Sequence, residues 1–130
     1  MITLQKIQEA QKRIAPFVNY TPLIHSKHLS NNSTVKLKLE SLQITGSFKL
    51  RGAINKLLLL SENQKQKGVI AVSTGNHGKG VAYAANILGI KSTIFMSSMV
   101  PIFRKEAIEA LGAKVKIVGN NSDAADQYAR

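Results

Sequence analysis

Lys49 and Asn76 are the side chains through which this chain could most directly do chemistry. Lys49 lies in Thr45-Gly46-Ser47-Phe48-Lys49-Leu50-Arg51-Gly52-Ala53, and Asn76 in Ser73-Thr74-Gly75-Asn76-His77-Gly78. The first string sets a lysine beside an expected helix start. The second is a polar loop of small residues between an apolar stretch and another expected helix. A lysine at the positive end of a helix dipole is biased toward the neutral amine, because nearby positive charge disfavours the ammonium form. Such an amine is a nucleophile that condenses with carbonyl groups to a Schiff base. The loop offers the hydroxyls of Ser73 and Thr74, the Asn76 amide and the unpaired N–H groups of a turn entering a helix, a set of donors suited to a carboxylate. Together the two strings read as one site split across two turns.

Taken singly, these residues have plainer uses. Lys49 is one of 18 Lys and Arg residues, and a lysine at a helix start is by default solvated; only the pairing of the two strings argues otherwise. His77 alone reads as a turn residue, and it receives a backbone role only. Arg51 reads as the partner of a surface acid and stays outside the catalytic set. Met96 and Met99 read as packing at a strand end. Gly75, Gly78 and Gly80 are assigned to the asparagine turn. Their order does not match a dinucleotide fingerprint, and no Gly-Lys-Ser or Gly-Lys-Thr string is present, so a nucleotide-binding module is a weak rival.

The surrounding patterns predict the elements that must hold these groups. Thr3 is placed to cap a helix with the apolar stripe Leu4, Ile7, Ala10 and Ile14, ending near Pro16. Tyr20 to Ile24 reads as an extended entry segment. After a turn at Asn31-Asn32-Ser33, Val35 to Glu40 alternates as a strand with one solvated face. Leu50, Ala53, Ile54, Leu57 and Leu58 recur at helical spacing, with Ser47 as the expected cap and Lys49 in the first turn. From Gly68 the pattern repeats as strand, turn and helix. Strands are expected at Val69–Val72, Ser92–Met96 and Lys114–Val118, and helices at Gly78–Leu88, Pro101–Leu111 and from Asp123 onward. Units of this kind build an α/β fold, a parallel sheet with flanking helices, with ligands at the carboxyl ends of the strands. The Ser73 to Gly78 loop lies at such an end. The first forty residues show no partner sheet of their own, and no strand follows the last expected helix. The expected organisation is therefore a piece of an incomplete domain over residues 1–45, a small α/β domain over 46–130, and a fragmentary chain overall.

Composition narrows the class. A chain of 130 residues with 44% hydrophobic content is long and apolar enough for one packed core. There is no cysteine, so thiolate chemistry, disulfides and cysteine-based zinc sites are excluded, and His25, His28 and His77 show no metal-ligand spacing. The start of the chain has no apolar signal core and no apolar run approaches a membrane span, so the expectation is a cytoplasmic protein without a membrane partner. The formal charge of +11 raises a polyanion partner as an alternative, a non-catalytic remnant acting through its basic surface. Against specific nucleic-acid binding, the cations are scattered and only three Tyr and four Phe could stack on bases.

On these residues the chain resembles the fold-type II pyridoxal phosphate enzymes, in particular the threonine dehydratase and serine racemase group and most closely its hydroxyectoine-utilisation dehydratase branch. The likeness extends over Thr21-Pro22-Leu23-Ile24, Leu37 to Glu40, Gln43, Thr45 to Ala53, Ser73 to Gly78, Val81 to Ala85, Leu111-Gly112-Ala113 and Ile117-Val118-Gly119. The resemblance implies that Lys49 holds pyridoxal 5'-phosphate as a Schiff base, that Phe48 packs against its ring and that Asn76 bonds the ring's phenolic oxygen. It further implies that Ser73, Thr74, Gly75, Asn76 and His77 bind an amino-acid carboxylate. Thr74 stands where serine racemases keep a serine base, and its extra methyl favours elimination over racemisation. The implied activity is a dehydratase that converts a β-hydroxy amino acid to a 2-oxo acid and ammonia, with a homo-oligomer possible in the full-length family. The chain's departure at Ile102-Phe103-Arg104-Lys105 is expected to touch helix packing more than chemistry. No residue after Val118 is expected to supply the family's phosphate loop or a partner for the pyridine nitrogen, so cofactor binding by this chain is expected to be weak.

Overall fold

Three parallel strands and the helices laid against them dominate the computed structural model of the chain, which describes residues 1–129. In chain order the elements are α1 (Leu4–Ile14), β1 (Leu23–His25), β2 (Lys36–Lys38), α2 (Lys49–Leu58), α3 (Glu62–Lys67), β3 (Val69–Val72), α4 (Asn76–Ile87), β4 (Ser92–Met96), α5 (Ile102–Glu109), β5 (Lys114–Ile117) and α6 (Ser122–Ala129). One-turn 3₁₀ segments stand at Ala15–Phe17 and Glu40–Leu42.

The sheet runs β3-β4-β5, all parallel, with Ala71 opposite Ile94 and Ile94 opposite Val115. Because strand side chains alternate, Ile94 and Met96 point to one face and Phe95 to the other. Ile94 and Met96 enter a core with Leu50, Ile54, Val81 and Ile108 from α2, α4 and α5. Phe95 meets the ring of Tyr128 on α6 at 5.7 Å, so helices cover both faces as expected. Leu50, Ile54, Ile94 and Ile108 are fully buried, each contributing about 1.5–3 kcal/mol of apolar transfer free energy. Glycines with positive φ, Gly89 and Gly112, follow α4 and α5 and end them where the sequence places the stops.

Several expectations are corrected. Thr3 does cap α1, accepting from the Lys6 N–H, but of its apolar stripe only Ile14 is buried, while Leu4 and Ile7 are exposed. The early residues do have a partner strand: β1 and β2 pair antiparallel, Leu23 with Lys38 and His25 with Lys36. Every residue of that ribbon is exposed, because a two-stranded ribbon has no second layer here to cover either face. Ser47 does not cap α2. Phe48 occupies the cap position in αR conformation, and the buried Ser47 hydroxyl has no partner among the described residues. Met96 is buried, but Met99 is exposed. A short helix, α3, escaped the reading although Ser61 and Gln64 form a reciprocal capping box at its start.

Two interactions seat α2. The first joins it to the preceding residues: Arg51 holds Glu40 in a two-pronged pair, Nη2 to Oε1 at 2.7 Å and Nε to Oε2 at 2.9 Å. Thr21 donates its hydroxyl to the same carboxylate, and Arg51 also reaches the Asn19 carbonyl at 3.1 Å. Gln43 completes the tie, its side chain accepting from the Asn19 and Ile44 N–H groups and donating to the Asn19 carbonyl. The second is a close crossing of α2 and α4. A Cβ at Gly80 would lie 3.2 Å from the Lys49 carbonyl carbon and the Leu50 nitrogen, so the two backbones approach closely enough to crowd any side chain there. Two residues earlier, a Cβ at Gly78 would meet Ile108 Cδ1 at 2.9 Å. These two glycines are therefore helix-packing residues within α4, and only Gly75 of the three lies in the turn.

Each tie gives a measurable expectation. Gly80→Val should lower stability by about 1–3 kcal/mol, since backbone atoms cannot rotate away as a side chain would. Urea denaturation reads this, and an unchanged midpoint would refute the contact. The Arg51 guanidinium holds the Glu40 carboxyl down from 4.5 to about 2, with Thr21 assisting. Since the folded carboxyl releases its proton more readily than the unfolded one, this stabilisation is complete above about pH 4.5 and fades as pH falls toward 2. Wild type should exceed Glu40→Gln by about 2 kcal/mol at neutral pH. That gap should close on acidification below pH 4.5; a gap constant down to pH 2 would remove the carboxylate from the account.

Candidate active site

Local chain geometry presents Lys49. Gln43 to Gly46 closes a turn, with the Gly46 N–H on the Gln43 carbonyl at 2.7 Å, and Phe48 then leads directly into α2. Lys49 is the first residue of that helix and is exposed. Its amine lies 4.8 Å from the centre of the Phe48 ring, and it forms no ion pair among the described residues. The crossing at Gly80 grips the backbone carbonyl of Lys49 itself, so the lysine's root is held by α4 while its amine stays free.

The same helix carries the asparagine. β3 extends its ladder one residue, with the Ser73 N–H on the Phe95 carbonyl at 3.1 Å. The Ser73 hydroxyl then accepts from the Gly78 N–H at 2.8 Å and the Gly75 N–H at 3.3 Å. This hydroxyl closes the turn early, so α4 begins at Asn76 rather than at Gly78 as the sequence reading expects. Asn76 and His77 thus become the first two helical residues, and among the described residues their N–H groups have no acceptor. The Asn76 side-chain amide is likewise unpaired. Asn76 stands one turn, roughly 6 Å along the axis, from the contact with Lys49.

Two hollows flank this loop. A groove of about 430 Å³ between α2, α4 and β3 is lined by Phe48, Lys49, Gly52, Ala71 and His77 among others. A second of about 320 Å³ is lined by Gly75, Asn76, Lys79, Phe103 and Arg104. The fold therefore gathers Phe48, Lys49 and His77 in one hollow and places Gly75 and Asn76 beside the other. Ser73 and Thr74 line neither and sit half-buried between them. Ser73 is engaged as an acceptor, which leaves its own proton as the group it can offer.

One residue at the site escaped the sequence reading. Arg104 donates from Nη1 to the Thr74 carbonyl at 3.2 Å, reaching the loop from α5. Ile102 and Phe103, its neighbours, are exposed, so the stretch expected to matter for helix packing instead touches the site. A cation three residues after Pro101, in the first turn after a strand, was the available signal. Arg51, left outside the site, is indeed occupied by an acid, Glu40.

An unpaired amine on one hollow, and an unpaired side-chain amide with two free N–H groups at the start of α4, are chemically suited to an aldehyde-bearing aromatic and to a carboxylate. Among the described residues no three or more His, Cys, Asp or Glu side chains gather to hold a metal ion, and no helix is long and apolar enough to cross a membrane.

Comparison with known proteins agrees with this chemistry. A family profile described as pyridoxal-phosphate dependent enzyme matches residues 14–130. The chain is 50% identical over 124 residues to the catabolic L-threonine dehydratase TdcB of Staphylococcus aureus strain N315, a match that takes in 93% of this chain and 36% of the relative. Among solved structures, a T.th. threonine deaminase aligns with a TM-score of 0.87 and 42% identity, covering 99% of this chain and 41% of that one. Maize serine racemase aligns with a TM-score of 0.89 and 32% identity, covering 97% and 39%. The chain spans about a third of the length of the curated relatives it matches. With its lysine free at the root of α2, its asparagine loop opening α4 and a profile match over nearly its whole length, the chain belongs to the pyridoxal-phosphate dependent enzyme family.

Proposed function

We propose that this chain carries the lysine and substrate-loop half of an ammonia-lyase site for a β-hydroxy amino acid of the threonine or serine type, yielding a 2-oxo acid and ammonia. The observation that carries the reading is the unpaired Lys49 amine, rooted by the Gly80 contact one turn from Asn76. The relatives named as threonine dehydratase and threonine deaminase support it. The same reading treats residues 1–45 as part of a second domain and residues 46–130 as the small domain that bears the site.

Lys49 would hold pyridoxal 5'-phosphate through its amine, Phe48 would flank the ring, and Asn76 would donate its amide to the phenolic oxygen. The cofactor, when bound, supplies an electron sink for the pair left on Cα. The N–H groups of Asn76 and His77, with the Ser73 and Thr74 hydroxyls, would orient the substrate carboxylate. With the cofactor bound, the Lys49 amine would be the group that takes the Cα proton. Loss of the β-hydroxyl as water leaves an enamine, and its hydrolysis consumes one water and releases ammonia. The Thr74 hydroxyl would serve the opposite face, where its methyl group crowds the approach and favours elimination over racemisation.

We assign no residue of this chain to the cofactor phosphate or pyridine nitrogen, and we expect weak cofactor binding by the chain alone. Incubation with excess pyridoxal phosphate, borohydride reduction and peptide mapping should label Lys49 ahead of the other lysines, and Lys49→Ala should lose that label. Labelling spread evenly over the exposed lysines would overturn the assignment. A cofactor absorbance band that persisted through gel filtration would contradict the weak binding.

A further inference from the structure

The Thr74–Gly75 peptide is held at both ends by different parts of the chain. Its carbonyl accepts from Arg104 Nη1 at 3.2 Å, and its N–H donates to the Ser73 hydroxyl at 3.3 Å. Arg104 passes close enough that a Cβ on Gly75 would lie 3.9 Å from Nη1. Its guanidinium lies 5.9 Å from the Phe103 ring centre, and it has no ion-pair partner among the described residues.

We propose that Arg104 is a positioning residue that sets the polarity of the substrate loop. A peptide's carbonyl and N–H point in opposite directions, so fixing one fixes the other. Arg104 draws the Thr74 carbonyl toward α5, and Ser73 takes the opposing N–H. The negative end of that peptide is thereby kept from turning toward the neighbouring free N–H groups of Asn76 and His77, where it would repel an anion. A carboxylate then meets donors only. The proposal rests on the carboxylate reading given under Proposed function, and extends it to a residue that acts on the loop from α5.

The energetics separate this role from ordinary stabilisation. Ordering an exposed arginine costs rotamer entropy that a single hydrogen bond from it roughly offsets. The global stability of the chain should therefore barely notice Arg104, whereas the orientation of a single peptide should depend on it.

The test uses the 130-residue chain, with amide resonances followed by heteronuclear NMR and L-threonine as the probe. In the wild type, L-threonine should shift the Asn76 and His77 amides. In Arg104→Ala, the Gly75 and Asn76 amides should move or broaden before any ligand is added, the L-threonine dissociation constant should rise about fivefold or more, and the urea midpoint should stay put. Arg104→Lys, which keeps the charge, should restore affinity only to the extent that it restores the wild-type loop resonances. An unchanged loop spectrum in Arg104→Ala, or affinity restored by lysine with the resonances still displaced, would overturn the positioning role. A wild-type loop indifferent to L-threonine would overturn the carboxylate reading. Lys49 labelling, measured on the same samples, shows separately whether the amine assignment stands.

Discussion

The backbone contact between α2 and α4 at Gly80 is the constraint on which the rest of the site hangs. Lys49 belongs to one helix and Asn76 to the other, and no loop joins them directly. Their relation is set by how near the two axes can come, and a Cβ at position 80 would stand 3.2 Å from the Lys49–Leu50 backbone, which would have to give by a few tenths of an ångström. The core beneath the crossing, Leu50, Ile54 and Val81 against Ile94, presses the helices together. The glycine is what makes the contact a register rather than a generic packing surface.

Around that contact the chain spends its polar groups on position. The Glu40–Arg51 pair, Thr21 and Gln43 tie the residues before α2 to its first turns, two residues from Lys49. Ser73 and Arg104 do the same for the asparagine loop. The candidate groups themselves, the Lys49 amine, the Asn76 amide and the first N–H groups of α4, are left without partners among the described residues. Lys49, Asn76 and His77 are exposed, so their open donors face solvent and are accessible.

Much of the scaffold is legible in the order of residues. Apolar strands four or five residues long, separated by glycine-stopped helices, leave little room for anything other than a parallel α/β sheet, and β3, β4 and α4 to α6 fall close to their expected places. The errors cluster where local signals compete with distant partners. Ser47 has the chemistry of a cap but is buried out of reach of the helix it precedes, and Ser73 performs the turn-closing task that pulls α4 two residues earlier. Leu4 and Ile7 follow a clean helical stripe, yet pattern alone does not say whether a surface exists to receive it.

The choice of candidate groups follows from composition and order: one lysine behind a phenylalanine at a helix start, one asparagine in a turn of small residues, and no cysteine or metal-ligand spacing to compete. These are local facts, since amine and amide chemistry resides in the side chain. Proximity is not local. That Gly80 touches Lys49, that Arg104 reaches across from α5 to the Thr74 carbonyl, and that Arg51 is occupied by Glu40 depend on residues 11 to 31 positions apart meeting through packed helices. No periodicity within either segment encodes such distances, because they arise from how close two packed surfaces can approach.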